Sequence, residues 1–413
     1  MRTYEKYKDS GISWIGKVPD DWNVCKFKYT INIRNGKDYK DVQSDSNNDY
    51  PVYGSGGIFA YAKKYLYDGE ALLLGRKGTI DKPIYIQKGK FWTVDTMFYG
   101  LATNGNVCKF LYYQALTFPY GRYATSTALP SMTQSDLGNN PICLPSIPEQ
   151  EAIANYLDKK TAEIDKIIAE REKKIELLNE LKSSIISRAV TKGINPHAKM
   201  KDSGIDWFPF IPCNWEYSSL RHVCKKITDG SHFSPMSQLE GKPYITVTNV
   251  RNNKVYVEEA LKISDEDFRT LVSTGCQPLP GDILLSKDGT VGRTAIVTSN
   301  DYVVLSSLGI LRPSSLVDSK YLEYCLNSNA LQMQMQMMMD GSALRRITIK
   351  KICNLLVLIP PMHEQLSIVK YLDKKIAEVN NSISTIRKEC ALYKEYKQSL
   401  ISEVVTGKRK VID

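Results

Sequence analysis

The chain has 413 residues, 42% hydrophobic and 24% charged, with a formal net charge of +10, a composition that suits a soluble protein of two or three domains. No run approaches 18 apolar residues and the N-terminus MRTYEKYKDSG has no apolar signal region, so a cytoplasmic protein without a membrane partner is expected. Nine cysteines stand singly, with no C-x-x-C pair, which reads as reduced thiols; the nearest metal-like group, Cys213, His222 and Cys224, has the wrong spacing for a finger, so no metal is expected.

In chain order, the first distinctive stretch is DSGISWIGKVPDDW at 9–22, which returns as DSGIDWFPFIPCNW at 202–215. Trp14 matches Trp207 and Trp22 matches Trp215, an offset of 193. Neither copy has a helical or strand period, and each ends in Pro-x-x-Trp, the mark of a structured loop. A mixed segment follows the first copy. Within it ALLL, then GRKGT, then IDKPIYI reads as two strands joined by a glycine-rich turn, as does DILL-SKDGTVG-RTAIV in the second half.

Long helices follow each mixed segment. IPEQEAIANYLDKK begins at 147 and HEQLSIVKYLDKK at 363, and Glu149, Tyr156 and Asp158 match Glu364, Tyr371 and Asp373 at an offset of 215. In the first helix Ile164, Ile168, Arg171, Ile175, Leu178, Lys182, Ile185 and Ala189 step by four and three. In the second the same register gives Val379, Ile383, Ile386, Cys390, Tyr393, Lys397, Leu400 and Val404. This is the seam of a two-helix coiled coil, and two matching seams in one chain pair most simply antiparallel. Prolines at the helix starts and Gly193 and Gly407 after the ends set the boundaries.

The expected fold is therefore α+β. Globular α/β domains at 1–147 and 194–361 are separated by a pair of long antiparallel coiled-coil helices, 148–193 and 362–413. The whole is an internal pseudo-two-fold tandem repeat. The offset grows from 193 to 215, so the second globular domain is the larger by 22 residues.

Half of the positive excess lies in residues 1–147, with 18 Lys+Arg against 13 Asp+Glu, a mild sign of a polyanionic partner. Basic residues in glycine-rich or polar loops sharpen it, since the backbone there approaches another surface closely. Arg34 and Lys37, then Arg76, Lys77 and Thr79, and Arg122 with Tyr123 are the candidates in the first half. Ser231, His232, Asn249, Arg251, Lys287, Thr290, Arg293, Arg345 and Arg346 are those in the second. Each has the chemistry to meet phosphates or base edges, and each is equally a solvated turn residue.

Catalytic patterns are absent. There is no phosphate-binding G-x-x-x-x-G-K-[ST], no dinucleotide fingerprint and no N/D-P-P-aromatic motif of amino methylation; Asn140-Pro141-Ile142 comes nearest. The E-x-K at Glu172-Lys173-Lys174 lies on the helix, and four scattered histidines give no nucleophile–base pair. The chain recognises rather than reacts.

The opening YKDSGISWIGKVPDDW, the IPEQEAIANYLDKK and HEQLSIVKYLDKK helix starts, LLSKDGTVGRTAIV with LSSLGILRP after it, and RAVTKG together resemble the specificity subunit of type I restriction-modification systems. GRKGTID and DTMFYGLAT are the first domain's departures from that pattern. The resemblance spans nearly the whole chain. It implies two target-recognition domains, each reading half of a bipartite asymmetric DNA site, and paired helices that set the gap. It also implies docking of two methyltransferase subunits carrying S-adenosylmethionine, and of restriction subunits using ATP and Mg, with no cofactor in this chain. The alternative from another class is a non-enzymatic coiled-coil scaffold whose basic domains bind a protein or RNA partner.

Overall fold

A computed structural model describes residues 3–78, 80, 85–122, 131–341 and 345–411. The chain divides into two compact units, Met1–Glu172 with Arg387–Asp413, and Lys173–Ile386. The first long helix, Ile147–Lys192, runs from one unit into the other, and so does the second, Met362–Val405. At about 1.5 Å per residue they are roughly 69 and 66 Å long. Pro148 stands in the first turn of its helix, where its missing N–H costs nothing, and Pro360–Pro361 precede the other. Gly193 and Gly407 end them with φ of 75° and 71°, the left-handed geometry that a side chain resists.

In the first unit a four-stranded sheet runs in the order Tyr85–Gln87, Ala71–Gly75, Met97–Ala102, Ile31–Asn35. Leu72 and Leu74 of its central strand are fully buried beneath the short helix Cys108–Ala115, in a core that includes Trp22, Phe27, Phe98, Phe110, Ile153 and Leu157. A second sheet, containing Tyr50–Gly54, Gly57–Ala62 and Lys90–Thr93, packs Val52, Tyr53 and Phe91 over Leu73 and Tyr99 on the opposite face of the strands.

The second unit has the same four-stranded order: Thr294–Ile296, Ile283–Ser286, Leu308–Pro313, Cys224–Asp229. The sequence DTMFYGLAT, unlike LSSLGILRP, thus occupies the equivalent central strand. Added elements account for the larger size, among them the helices Asp265–Ser273 and Asn329–Met338.

The duplicated tryptophan loops become short antiparallel hairpins, Tyr7–Asp9 with Lys17–Pro19 and Met200–Asp202 with Phe210–Pro212. In each, an aspartate accepts the N–H two residues on, Asp9 from Gly11 and Asp202 from Gly204, which fixes the turn locally. Each hairpin delivers a fully buried indole to a helix end: Trp22 lies at Gly407 in the first unit and Trp215 at Gly193 in the second. The matched helix starts are also tied alike. Glu149 accepts from Tyr4 Oη at 2.7 Å and Glu364 from Asn214 Nδ2 at 3.0 Å. Tyr113 donates to Asp158 and Tyr324 to Asp373. Buried Gln150 accepts from Val107 N and donates to Pro145 O; Gln365 accepts from Asp318 N and donates to Pro360 O. Each glutamine therefore ties the start of a short helix to the start of a long one.

Within each unit the long helices meet antiparallel. Lys397 donates to both oxygens of Asp165, and Arg171 and Lys394 face Glu389 and Glu172. In the second unit Lys182 donates to Asn380 at 3.1 Å. Of the seam, Ile164, Ile168, Val379, Ile383, Ile386, Leu400 and Val404 are buried, while Ile175, Leu178 and Ile185 are half-buried. Near the end of the first helix Ile186 and Val190 join Ala189 in the buried stripe. A straight helix drifts by about 20° per heptad against a 3.5 repeat, so after three heptads the next residue takes the inward place. Among the described residues no helix is long and apolar enough to cross a membrane.

Candidate nucleic-acid interface

Both units use one glycine to move the chain from the four-stranded sheet to the second sheet. A β-carbon at Gly36 would lie 2.0 Å from Val94 O, and one at Gly230 would lie 2.1 Å from Val304 O. Only hydrogen fits there. Gly36 donates to Met97 O and Gly230 to Leu308 O, so the residues that follow, Lys37 and Ser231, enter matching places.

The glycine-rich turns match as closely. Arg76 N donates to Thr96 O and Lys287 N to Ser307 O; Met132 N donates to Arg76 O and Ile347 N to Lys287 O. Lys77 pairs with Ser131 as Asp288 pairs with Arg346. Arg76 and Lys287 are therefore the same backbone position, and Lys77 and Asp288 the next one.

Their side chains differ entirely. Arg76 is half-exposed; its guanidinium donates to Asp95 O at 3.1 Å and lies 5.6 Å from the centre of the Phe98 ring. Lys77 and Lys37 are exposed, and Lys37 O accepts from Trp92 Nε1. Arg34 is exposed on the edge strand opposite Tyr99. Exposed Ile58 and Phe59 stand on the neighbouring hairpin, with Tyr39 edge-on to Phe59 at 5.3 Å. Ser55 at that hairpin's tip lies close to Gly78. The sheet-to-sheet glycine and the turn thus join cations and exposed apolar groups on one surface, fit for phosphates and base edges. Arg122 belongs elsewhere, stacked at 4.5 Å on Trp14 of the opening hairpin. Thr79 and Tyr123 lie outside the described residues.

In the second unit Lys287 is not a solvated tip. Its side chain is 4% exposed, with Nζ 3.6 Å from Asp229 Oδ2 and 3.6 Å from Asp288 Oδ2. The turn's exposed apex is Gly289-Thr290, one step beyond it. A lysine in this position cannot reach a phosphate without breaking two ion pairs. His232 is exposed, its Nε2 3.0 Å from the same Asp229 oxygen. Arg346 Nε lies 3.5 Å from Asp288 Oδ1, and Arg345 is exposed with its carbonyl accepting from Gly289 N. Arg293 is exposed, and its N–H donates to Ser286 Oγ.

Ser231, Asn249 and Arg251 have local duties. Ser231 is buried and closes a turn with Phe233; Asn249 is buried and accepts from Thr246 N. Arg251 is bonded to Glu259 at 2.5 Å and stacked at 3.9 Å on Tyr256. The structure thus gathers His232, Lys287, Arg345 and Arg346 around Asp229 and Asp288, and leaves Asn249 and Arg251 outside that group. Neither aspartate is marked by its local pattern: Asp288 lies within the SKDGT turn and Asp229 stands before Gly230 at the end of a strand.

Among the described residues four buried thiols are shifted away from reactivity. Burial pushes the thiols of Cys108, Cys143, Cys224 and Cys325 up to about 12, away from the thiolate that a nucleophile needs. Among the described residues no group of three His, Cys, Asp or Glu is placed to hold a metal ion.

The type I restriction modification DNA specificity domain matches this chain twice, over residues 19–177 and 212–389. The chain belongs to that family. It is 24% identical to the type I restriction enzyme MjaVIII specificity subunit of Methanocaldococcus jannaschii, over 96% of this chain and 94% of that protein. It is 20% identical to the EcoBI specificity subunit of Escherichia coli, over 98% and 90%. A solved chain described under "Structural basis underlying complex assembly and conformational transition of the type I R-M system" superposes with a TM-score of 0.67 at 16% identity, covering 94% of this chain and 98% of that one. Its fold is shared. The two family matches fall one in each half of the duplication, and each contains one of the two repeated helix starts.

Proposed function

We propose that each unit reads one half of a two-part, asymmetric duplex site. The long helices, paired as an antiparallel coiled coil in an internally two-fold chain, set the gap between the halves and dock two methyltransferase subunits. The chain is the DNA sequence-recognition subunit of a type I restriction-modification complex. It is non-catalytic and acts on double-stranded DNA together with methyltransferase and restriction subunits. The chemistry is theirs: S-adenosylmethionine on the methyltransferase, ATP and Mg on the restriction subunit. In this reading residues 1–147 and 194–361 are the two recognition domains, and 148–193 and 362–413 the spacers.

One observation carries the two-reader account. The same backbone position holds a half-exposed Arg76 in one unit and a buried, doubly paired Lys287 in the other. A shared scaffold with unlike side chains at its turn suits two different half-sites better than one site read twice. A scaffold that binds protein or RNA has no comparable support. Duplexes selected from a random pool by the assembled complex, in excess competitor, should show two unlike half-sites at fixed separation. Selection of a palindrome, or retention equal on any duplex or RNA, is the contrary result.

A further inference from the structure

We infer that Asp229 is a specificity-determining residue of the second unit, accepting from the exocyclic amino group of one base, and that Lys287 is the positioning residue that holds it. This rests on the DNA-recognition reading above. The geometry is asymmetric within the carboxylate. Lys287 Nζ at 3.6 Å and His232 Nε2 at 3.0 Å both approach Oδ2, and among the described residues no hydrogen bond or ion pair is made by Oδ1. The Asp229 side chain is 25% exposed, so the carboxylate is partly open to solvent, whereas the Lys287 side chain paired with it is 4% exposed.

The backbone beneath is fixed. Gly230 is pressed on Val304 O with room only for hydrogen, and Asp229 pairs with Gly309 at the end of its strand. Lys287 is held in turn by Asp288, which faces Arg346. A carboxylate so held, with its charge balanced by a buried lysine and flanked by exposed Arg345 and Arg346, can approach DNA without unpaired negative charge. An acceptor-only group suits cytosine N4 or adenine N6 in the major groove and rejects the O6 and O4 carbonyls of guanine and thymine. In the first unit the places of Asp229 and Lys287 are taken by Asn35 and Arg76, and the half-exposed arginine is a donor instead. The group offered at this shared place therefore differs between units, a carboxylate acceptor in the second and a cationic donor in the first, and with it the class of base edge that each suits.

The test uses the assembled complex and selection from a randomised duplex pool, followed by sequencing. Asp229→Ala should lose about ten- to a hundredfold of preference at one base pair of one half-site, with the other half-site unchanged. Lys287→Met should weaken preference at that same base pair and leave the salt dependence of binding as it was. Thermal unfolding of both variants is measured alongside, and Asp229→Asn, which keeps the shape, serves if Lys287→Met fails to fold. Asparagine adds donors, so it should change the preferred base rather than abolish binding. The inference is overturned if Asp229→Ala and Asp229→Asn leave both half-sites unaltered, or lower affinity equally for all sequences. If the wild-type complex selects no sequence at all, the underlying recognition reading itself fails.

Discussion

Trp22 covers Gly407: a β-carbon on that glycine would lie 3.4 Å from the indole Cζ3 and 2.3 Å from Cδ of Pro19. The N-terminal hairpin is thus fitted to the end of a helix nearly four hundred residues away in sequence. Trp215 stands as closely against Gly193, with the added carbon 3.3 Å from Cζ2, but there its other neighbour is Glu364 Oε1 at 3.4 Å rather than a proline ring. Both glycines have positive φ. Alanine at Gly193 should therefore cost about 1–2 kcal/mol of backbone strain. Gly407→Ala should cost more, because the Pro19 ring must also shift. Chemical denaturation of the two variants ranks them, and equal losses would contradict the close fit at Gly407.

Lys182 gives a pH dependence. It stands half-buried where the long helices meet, donating to Asn380, and burial lowers its pKa below the ordinary 10.5. In the window between that lowered value and 10.5 the unfolded chain binds more protons than the folded one. Stability from this group therefore rises with pH there, and the deficit is constant below the window. Lys182→Met removes the buried charge and should be modestly more stable at neutral pH. Its advantage should narrow as pH climbs toward 10.5. Denaturation midpoints of both proteins across that range decide it; an advantage that widens with pH would count against the burial account.

Arg76 and Lys77 should behave unlike Lys287. If these two cations meet phosphates, alanine at either weakens binding to every duplex and lowers the slope of log affinity against log salt by roughly one. Lys287→Ala should leave that slope unchanged, since its ammonium faces Asp229 and Asp288 rather than solvent. Filter binding on one specific and one random duplex between low and physiological salt makes the comparison. An equal fall in slope for all three would show that Lys287 reaches the DNA.

The two long helices were legible because apolar residues at a helical period, with prolines before them, are local signals. The strand–turn–strand at Arg76 and at Lys287 was legible for the same reason. What each turn does was not. Lys287 reads as a tip in SKDGT, and only the arrival of Asp229 from another strand buries it. Arg251 likewise reads as free until Glu259 and Tyr256 fold back on it. The need for glycine at 36 and 230 comes from carbonyls at Val94 and Val304, some sixty to seventy residues later, which no local pattern announces. Ile185 lost its inward place to Ile186 because a strict 3.5 repeat was carried past the point where a 3.6 helix keeps it.

Two readers held apart by a spacer of fixed length, as proposed, should respond to a matched heptad deletion in the long helices. Seven residues removed from each long helix, within 164–182 and 379–397, shorten both by about 10 Å and keep the facing positions in phase. Selection of duplexes by the shortened complex should return both original half-sites with the gap between them reduced by about three base pairs at ~3.4 Å each. An unchanged gap, or altered half-site sequences with the gap preserved, would contradict the account.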